Sequence, residues 1–273
     1  VQTNAAAGIC RDAFGVPPLA VGALIGVLAA AVLFRGAKAV TKTASVLVPL
    51  MAALYIIGCT ALLFICRQRL PAAVASIFSE AFTPSAAGGG AAGLLTSKAL
   101  QTGIARGTFT NEAGMGSASL AHAESSGTPA EQGCWGIVEV FLDTVVCCTL
   151  TALAILSADI SSLGENAAEV AFGKYFGGAG SAFLASSMFF FALAAVMGWA
   201  FYGEKALGYI TKSKKALIFY RTLFCVCAAA GAVLSLPAVW NLSDIFNGLM
   251  IFPNMTALLV LKSEILSTAK GAG

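Results

Sequence analysis

The residues whose types and placement first suggest chemistry are Asn111 and Glu112, in the stretch GTFTNEAGMGSA at 107–118. They lie among three glycines, directly after an apolar, glycine-rich run over 86–104. Polar side chains and irregular backbone are costly at membrane depth unless they pack against protein or line a wet cavity. The stretch is therefore either a solvated turn joining two membrane helices or part of a polar functional site.

Two carboxylates, Glu139 and Asp143, lie four residues apart in the next apolar run. In an α-helix this spacing places them on one face. Intramembrane carboxylates are expensive and commonly serve protons or ions. Asp143 therefore either handles a proton or cation, or has a structural role in which it accepts hydrogen bonds from the backbone around Asn111.

Three consecutive glycines, Gly88, Gly89 and Gly90, interrupt the apolar run that precedes the polar stretch. Glycine permits a membrane helix to unwind, which frees amide and carbonyl groups to face a ligand. The alternative is close packing of helices through small residues. The glycines alone are compatible with both.

The composition defines the elements that must position these residues. Of 273 residues, 58% are apolar and 11% charged, and the mean hydropathy is +0.86. A soluble domain has about 25% charged residues, so we expect an all-α, polytopic transmembrane helix bundle surrounded by the lipid bilayer. The net charge of +3 is too small to favour nucleic acid as a partner. The eight cysteines lie mostly in apolar runs without zinc-like spacing and are interpreted as small hydrophobic residues.

Seven stretches have the length and apolarity of a membrane span. They are 16–34, 43–66, 85–104, 133–157, 179–202, 216–237 and 245–261. The polar stretch 159–178 is expected to be a connection, and Pro17-Pro18 is typical of a helix start.

The orientation follows from the Lys and Arg residues in the connections. One side holds ten of them: Arg35, Lys38, Lys42, Arg106, Lys205, Lys212, Lys214, Lys215, Lys262 and Lys270. The other side holds Arg11, Arg67, Arg69 and Lys174. The positive-inside rule predicts a cytoplasmic C-terminus and places residue 1 outside the cell.

The sequence gives no support to an enzyme. It lacks an HExxH zinc motif, a paired aspartate motif, a serine elbow, a phosphate loop and a dinucleotide fingerprint. We expect neither catalytic residues nor an organic cofactor.

Four segments in order, ARGTFTNEAGMGSA, VEVFLDTVVCCTLTALAIL, MGWAFYGEKALG and FNGLMIFPNMTALL, closely resemble the alanine or glycine:cation symporter family. The resemblance implies a plasma-membrane carrier that moves a small neutral amino acid with sodium or a proton. It also implies the leucine-transporter type of fold, with two inverted five-helix repeats. Residues 1–273 would form one transporter domain, with helices four and five of the first repeat at 16–66 and the second repeat at 85–261.

The resemblance also assigns site residues. Gln2 would face the substrate, with Gly88, Gly89 and Gly90 as an unwound segment. Trp199 would line the pocket, whereas Asn111, Glu112 and Asp143 would serve coupling or gating.

Two departures from the family pattern affect the expected specificity. Ala91 replaces a pocket aromatic residue, which leaves room for side chains larger than methyl. Ala194 and Ala195 occupy positions where hydroxyl residues would ligate sodium, and alanine offers no side-chain oxygen. The expectation is a weak sodium site or coupling to a proton.

A second hypothesis is a truncated membrane remnant that binds or assembles without transporting. It rests on the helix count, since the seven expected spans fall short of the ten in two repeats, and three upstream helices are expected. The feature that discriminates between the two hypotheses is the missing first repeat, since a transporter needs two repeats that move around one site.

Overall fold

The computed structural model describes residues 1–81, 91–112, 114–160 and 166–271, and this part of the chain is helical without strands. The α-helices are α1 (Gln2–Phe14), α2 (Pro18–Leu33), α3 (Ala37–Ile65), α4 (Leu70–Ala81), α5 (Ala91–Thr110), α6 (Ser117–His122), α7 (Pro129–Val140), α8 (Thr149–Ser157), α9 (Ala167–Ile210), α10 (Lys214–Gly231), α11 (Leu236–Val260) and α12 (Lys262–Gly271). A π-helical segment, Phe141–Cys148, joins α7 to α8. The all-α prediction is confirmed.

Four helical stretches of the described chain are long and apolar enough to cross a membrane. They are Ala37–Ile65, Pro129–Ser157, Ala167–Ile210 and Leu236–Val260. A helix of 29 residues is about 43 Å long, which exceeds the ~30 Å hydrocarbon core of a bilayer. These helices cover the predicted spans 43–66, 133–157, 179–202 and 245–261.

The other three predicted spans have different outcomes. Helix α2 lies within 16–34 but is short, with 16 residues, and α10 overlaps most of 216–237 with 18 residues and ends at Gly231. The span 85–104 lies partly outside the described residues. The total of seven spans, the inverted repeat, the single-domain division and the orientation of the termini all stay predictions.

Local sequence explains several helix ends. Pro18 is the first residue of α2, as the Pro17-Pro18 pair predicts. At the start of α7, Thr128 and Glu131 form a capping box: the Glu131 amide donates to Thr128 Oγ1 (3.3 Å) and the Thr128 amide donates to Glu131 Oε2 (2.7 Å). This cap sets where the helix that carries the π segment begins.

The prediction that 159–178 is a connection is only partly right. Helix α9 starts at Ala167 and contains a kink at Gly177, whose φ of 59° and ψ of −148° are not helical. Before the kink, Ala167, Ala171 and Phe172 are buried. Burial of this apolar side stabilises the helical stretch. The span proper therefore follows a separate short helical stretch.

Residues 1–66 and 154–241 form one compact unit. Its core lies where α1 and α3 pack against α9, and where α2 packs against α10. Helices α2 and α10 approach closely because α2 presents glycine: a Cβ on Gly22 would lie 2.5 Å from the Ala229 carbonyl oxygen. Small residues that permit close backbone approach are typical of helix contacts in membranes.

An ion pair also lies within this unit. The Arg221 guanidinium on α10 donates to both carboxylate oxygens of Glu204 on α9, at 2.8 and 2.5 Å. Both side chains are mostly buried, with 17% and 19% exposed. The bidentate contact ties the two helices together.

Residues 67–153 and 242–273 form the second compact unit. It holds the polar stretch that the sequence singles out, the π segment and most of α11. Large apolar side chains of α11, including Phe246, Phe252 and Leu259, are exposed within it. A helix surface of this kind is stable against lipid tails.

Candidate functional site

The polar stretch forms a tight reversal between α5 and α6, which we call the motif turn (residues 111–117, with 113 outside the described part). Glu112, Gly114 and Gly116 have φ values of 51°, 76° and 83°. Glycine adopts this left-handed region at little cost, whereas Glu112 is strained there. Strained backbone persists where surrounding contacts hold it in place, and it concentrates at functional sites.

One side-chain contact joins the motif turn to the π segment. Thr144 Oγ1 donates a hydrogen bond to Asn111 Oδ1 at 2.6 Å. The sequence suggests contact between Asp143 and the backbone of this turn, whereas the contact observed is made by the neighbouring Thr144 to a side chain. Asn111 and the π segment are therefore brought together.

Asp143 lies in the first turn of the π segment. Its Oδ2 atom is buried and has no hydrogen-bond partner in the described part of the chain. A buried acceptor without a partner is uncommon, and π-helical segments are frequently found at functional sites. The carboxylate therefore has free capacity to accept a proton or to contact a cation.

Glu139 and Asp143 lie in different surroundings despite their four-residue spacing. Glu139 is 64% exposed and contacts the His122 ring, with 3.5 Å between Oε2 and Nε2. The helix changes from α to π geometry at Phe141, between the two carboxylates, so the spacing rule of an α-helix does not extend from one to the other.

Glu112 is mostly buried at the start of the motif turn. Burial raises the pKa of its carboxyl group, the nearby charge of Glu139 raises this pKa further, and the Ser117 hydroxyl acts in the opposite direction. The Ser117 side chain is itself buried. The turn thus holds a carboxyl group that binds a proton more readily than an ordinary glutamate side chain.

His122 is half-buried at the end of α6. Its Nδ1 lies 2.8 Å from Gln132 Oε1, and its Nε2 faces Glu139. Gln132 and Glu139 both belong to α7, so the ring joins the end of α6 to that helix.

Helix α11 makes further contacts with the motif turn and with α5. Asn254 Nδ2 donates to the Gly114 carbonyl oxygen at 2.9 Å. Arg106 Nη2 donates to Asp244 Oδ2 at 2.5 Å. The sequence does not single out Thr144, Asp244 or Asn254 as site residues, because their partners are distant in the chain.

The remaining predicted residues lie in the other unit or outside the described part. Trp199 is half-buried on α9 and packs edge-on against Tyr202, with ring centroids 5.9 Å apart. Ala194 and Ala195 are half-buried on the same helix, and Gln2 is half-buried at the start of α1. Gly88, Gly89 and Gly90 lie outside the described residues, as does the side chain of Ala91 at the start of α5.

Asn4, two residues after Gln2, has a structural contact. Its Nδ2 lies 2.9 Å from the Gly231 carbonyl oxygen and 2.8 Å from that of Leu234. The Asn4 side-chain amide thus donates hydrogen bonds to backbone carbonyl groups at and just after the end of α10, which have no partner within the helix. Within the described ranges, no three His, Cys, Asp or Glu side chains converge as a metal site.

The apolar helices and the tethered polar turn beside an intramembrane carboxylate define an all-α polytopic membrane protein. The chain belongs to the sodium:alanine symporter family, whose model matches residues 1–271. Members of this family are transporters, not enzymes.

Several curated relatives match nearly the whole chain. It is 35% identical to the sodium/alanine symporter AgcS of Methanococcus maripaludis, with 99% of this chain and 60% of the relative covered. It is 34% identical to the probable sodium/glutamine symporter GlnT of Bacillus subtilis, with 99% and 57% covered. It is 30% identical to the sodium/proton-dependent alanine carrier protein of Bacillus sp. strain PS3, with 96% and 63% covered.

The chain therefore spans about three fifths of the length of these relatives. The match along residues 1–271 favours the transporter interpretation over the non-transporting remnant.

Proposed function

We propose that this chain forms part of a secondary active transporter that carries a small neutral amino acid together with sodium or a proton across the plasma membrane. The observation that carries the proposal is the family match along residues 1–271. The relatives described above are named as sodium/alanine, sodium/glutamine and sodium/proton-dependent alanine carriers. The mechanism is alternating access, in which binding sites are exposed to one side of the membrane at a time.

Asp143 is the residue we assign to the coupling ion. Its Oδ2 is buried without a partner, and the adjacent Thr144 binds Asn111 in the motif turn. A carboxylate in such a position either takes up a proton or offers an oxygen ligand to a cation. Protonation or ion binding at Asp143 would act directly on the π segment to which the motif turn is attached.

Sodium is proposed to bind weakly at the positions of Ala194 and Ala195. Hard cations bind oxygen, and these side chains have none. Losing two hydroxyl ligands costs binding free energy unless backbone carbonyl groups compensate. We therefore favour a proton as the coupling ion, with Asp143 as its acceptor.

The substrate is proposed to be a neutral amino acid whose side chain can exceed a methyl group. Ala91 stands where the family has a pocket aromatic residue, and one relative is named for glutamine. Gln2 and Trp199 are proposed substrate contacts, and the same role for Gly88 to Gly90, which lie outside the described residues, rests on the family resemblance. The ammonium and carboxylate groups of the substrate would bind backbone dipoles at the glycines.

Uptake by the full-length protein in proteoliposomes tests the coupling role of Asp143. Asp143→Asn preserves the shape of the side chain but removes its charge, so gradient-driven uptake should fall at least about tenfold, as expected for loss of a charge-assisted contact. Asp159→Asn is the control for removal of a carboxylate charge outside the π segment, in the turn that follows α8.

Equal loss in both variants, or none in Asp143→Asn, would exclude Asp143 as the coupling residue. Amino-acid binding by the wild-type protein without any uptake would instead support the non-transporting alternative.

A further inference from the structure

The contact between α11 and the motif turn is specific at the level of single atoms. Asn254 follows Pro253 inside α11, and its amide donates to the Gly114 carbonyl oxygen at 2.9 Å. The two residues are 140 positions apart in the sequence. The bond therefore links the turn to a distant helix rather than to its own neighbours.

The carboxamide oxygen of Asn254 packs against Gly116 in the same turn. A Cβ on Gly116 would lie 2.8 Å from Asn254 Oδ1 and 3.1 Å from its Cγ. The amide thus fills the space that a side chain at 116 would occupy. Gly114 has a similar φ, but a Cβ there would meet nothing within 4 Å. Of these two positions, Gly116 therefore requires glycine both for its backbone conformation and for its contact with Asn254.

A second contact from α11 reaches the helix that leads into the turn. Asp244, ten residues before Asn254, accepts a hydrogen bond from Arg106 in the last two turns of α5. Helix α11 therefore contacts both the end of α5 and the turn itself. Pro253 has no amide hydrogen, which removes one internal hydrogen bond of α11 next to the contact.

The turn connects these contacts to the proposed coupling residue. Gly114 and Asn111 lie three residues apart in the turn, and Asn111 accepts the hydrogen bond from Thr144, the neighbour of Asp143. A displacement of the Gly114 carbonyl group would move Asn111 and change the surroundings of the π segment. Asn254 is thus in a position to act on Asp143 without touching it.

We propose that Asn254 is a positioning residue for transport, which holds the motif turn through the Gly114 carbonyl group so that Asn111 meets Thr144 beside Asp143. This inference rests on the proposed function. Its consequence is that the apparent affinity for the coupling ion depends on a carboxamide that does not contact the ion.

The test measures uptake against the concentration of the coupling ion in proteoliposomes. Asn254→Ala removes the donor, and Asn254→Asp places a second acceptor against the Gly114 carbonyl group. Both should raise the half-saturating ion concentration about tenfold, the effect of one hydrogen bond on a binding constant. Asn247→Ala is the control on the same helix, since the Asn247 amide donates to Ser243 within α11, at 3.5 Å, and it should leave this concentration unchanged.

A double-mutant cycle separates positioning from general stability. If Asn254 acts through the turn, the effects of Asn254→Ala and Thr144→Val on the half-saturating concentration should be smaller together than their sum. Additive effects, or a loss confined to protein yield and maximal rate, would overturn the proposal.

Hydrogen exchange in the purified protein keeps the inference testable if no uptake is found. Asn254→Ala should increase exchange over residues 111–117, whereas Asn247→Ala should not. Wild-type protein without uptake but with this exchange pattern would reject the proposed function and retain the contact. Uptake and exchange both unchanged in Asn254→Ala would reject the inference alone.

Discussion

Thr144 and Asn111, 33 residues apart, are joined by a hydrogen bond of 2.6 Å that fixes a π-helical segment to the turn after α5. Asp143, next to Thr144, has a buried oxygen without a partner in the described chain. The motif turn and the carboxylate of Asp143 are therefore parts of one arrangement. This arrangement is the structural basis for assigning ion coupling to Asp143.

Gly22 should not tolerate even a methyl group. In Gly22→Ala the new Cβ would lie 2.5 Å from the Ala229 carbonyl oxygen and 2.6 Å from the Ala232 Cβ. Separating α2 from α10 should cost about 1–3 kcal/mol, the usual range for overpacking. Thermal unfolding of the detergent-purified protein measures the effect.

Gly8→Ala is the matched control, because a Cβ at Gly8 meets nothing within 4 Å. Replacing a helical glycine by alanine is otherwise favourable by roughly 0.5–1 kcal/mol. The melting temperature should therefore fall for Gly22→Ala and stay equal or rise for Gly8→Ala. Equal shifts in the two variants would contradict the close α2–α10 packing.

Glu112 should make stability depend on pH. Burial raises the pKa of its carboxyl group in the folded protein above the value in the unfolded chain. The folded state therefore binds the proton more tightly, and the favourable contribution of the protonated form is lost as pH rises through the raised pKa. The melting temperature should decrease over that window in the wild type.

Glu112→Gln mimics the protonated group and should remove this pH dependence, with higher stability than the wild type above the window. Glu264→Gln, on the exposed part of α12, is the control and should keep the wild-type profile. A Glu112→Gln profile that follows the wild type at every pH would show that the carboxyl group is not held in a buried state.

The orientation of the chain is testable by thiol labelling. The positive-inside rule places the lysine-rich connection at 211–215 in the cytoplasm and the start of α9 outside. In a cysteine-free background, an impermeant reagent applied to intact cells should label Asn166→Cys and spare Ser213→Cys. Labelling only the second variant would reverse the predicted topology.

Hydropathy predicted the long helices well because length and apolarity are local properties. The predicted span 133–157 lies inside the helical stretch Pro129–Ser157, and 43–66 lies inside Ala37–Ile65 except for its last residue. The π segment within the first of these stretches was not predicted, because α and π geometry accept the same apolar residues. The kink at Gly177 was likewise not predicted, because four glycines lie within eight residues there and the sequence does not show which of them breaks the helix.

The candidate site was only partly predictable for a different reason. Asn111, Glu112 and Asp143 stand out as polar residues in apolar surroundings, so the sequence identifies them. Thr144 and Asn254 do not, because their partners are a side chain 33 residues away and a backbone carbonyl group 140 residues away. Contacts of that kind follow from tertiary packing and leave no local pattern.

The proposed substrate and ion preference depends on three alanines. With Ala194 and Ala195 lacking hydroxyl oxygens and Ala91 lacking a ring, uptake should depend weakly on sodium, respond to a proton gradient, and accept glutamine as well as alanine. Competition among glycine, alanine and glutamine under each gradient measures this preference. Steep sodium dependence restricted to glycine and alanine would mean that other oxygen atoms and a neighbouring ring replace what the alanines lack.

The central claim, cation-coupled transport of a neutral amino acid, is tested most directly by one measurement. The full-length wild-type protein in proteoliposomes is given radiolabelled alanine with an inward sodium gradient, an inward proton gradient, or neither. Our account predicts accumulation above the external concentration under at least one cation gradient and collapse of that accumulation when an ionophore dissipates the gradient. Accumulation that is the same with and without both gradients, or none under any condition, would contradict it.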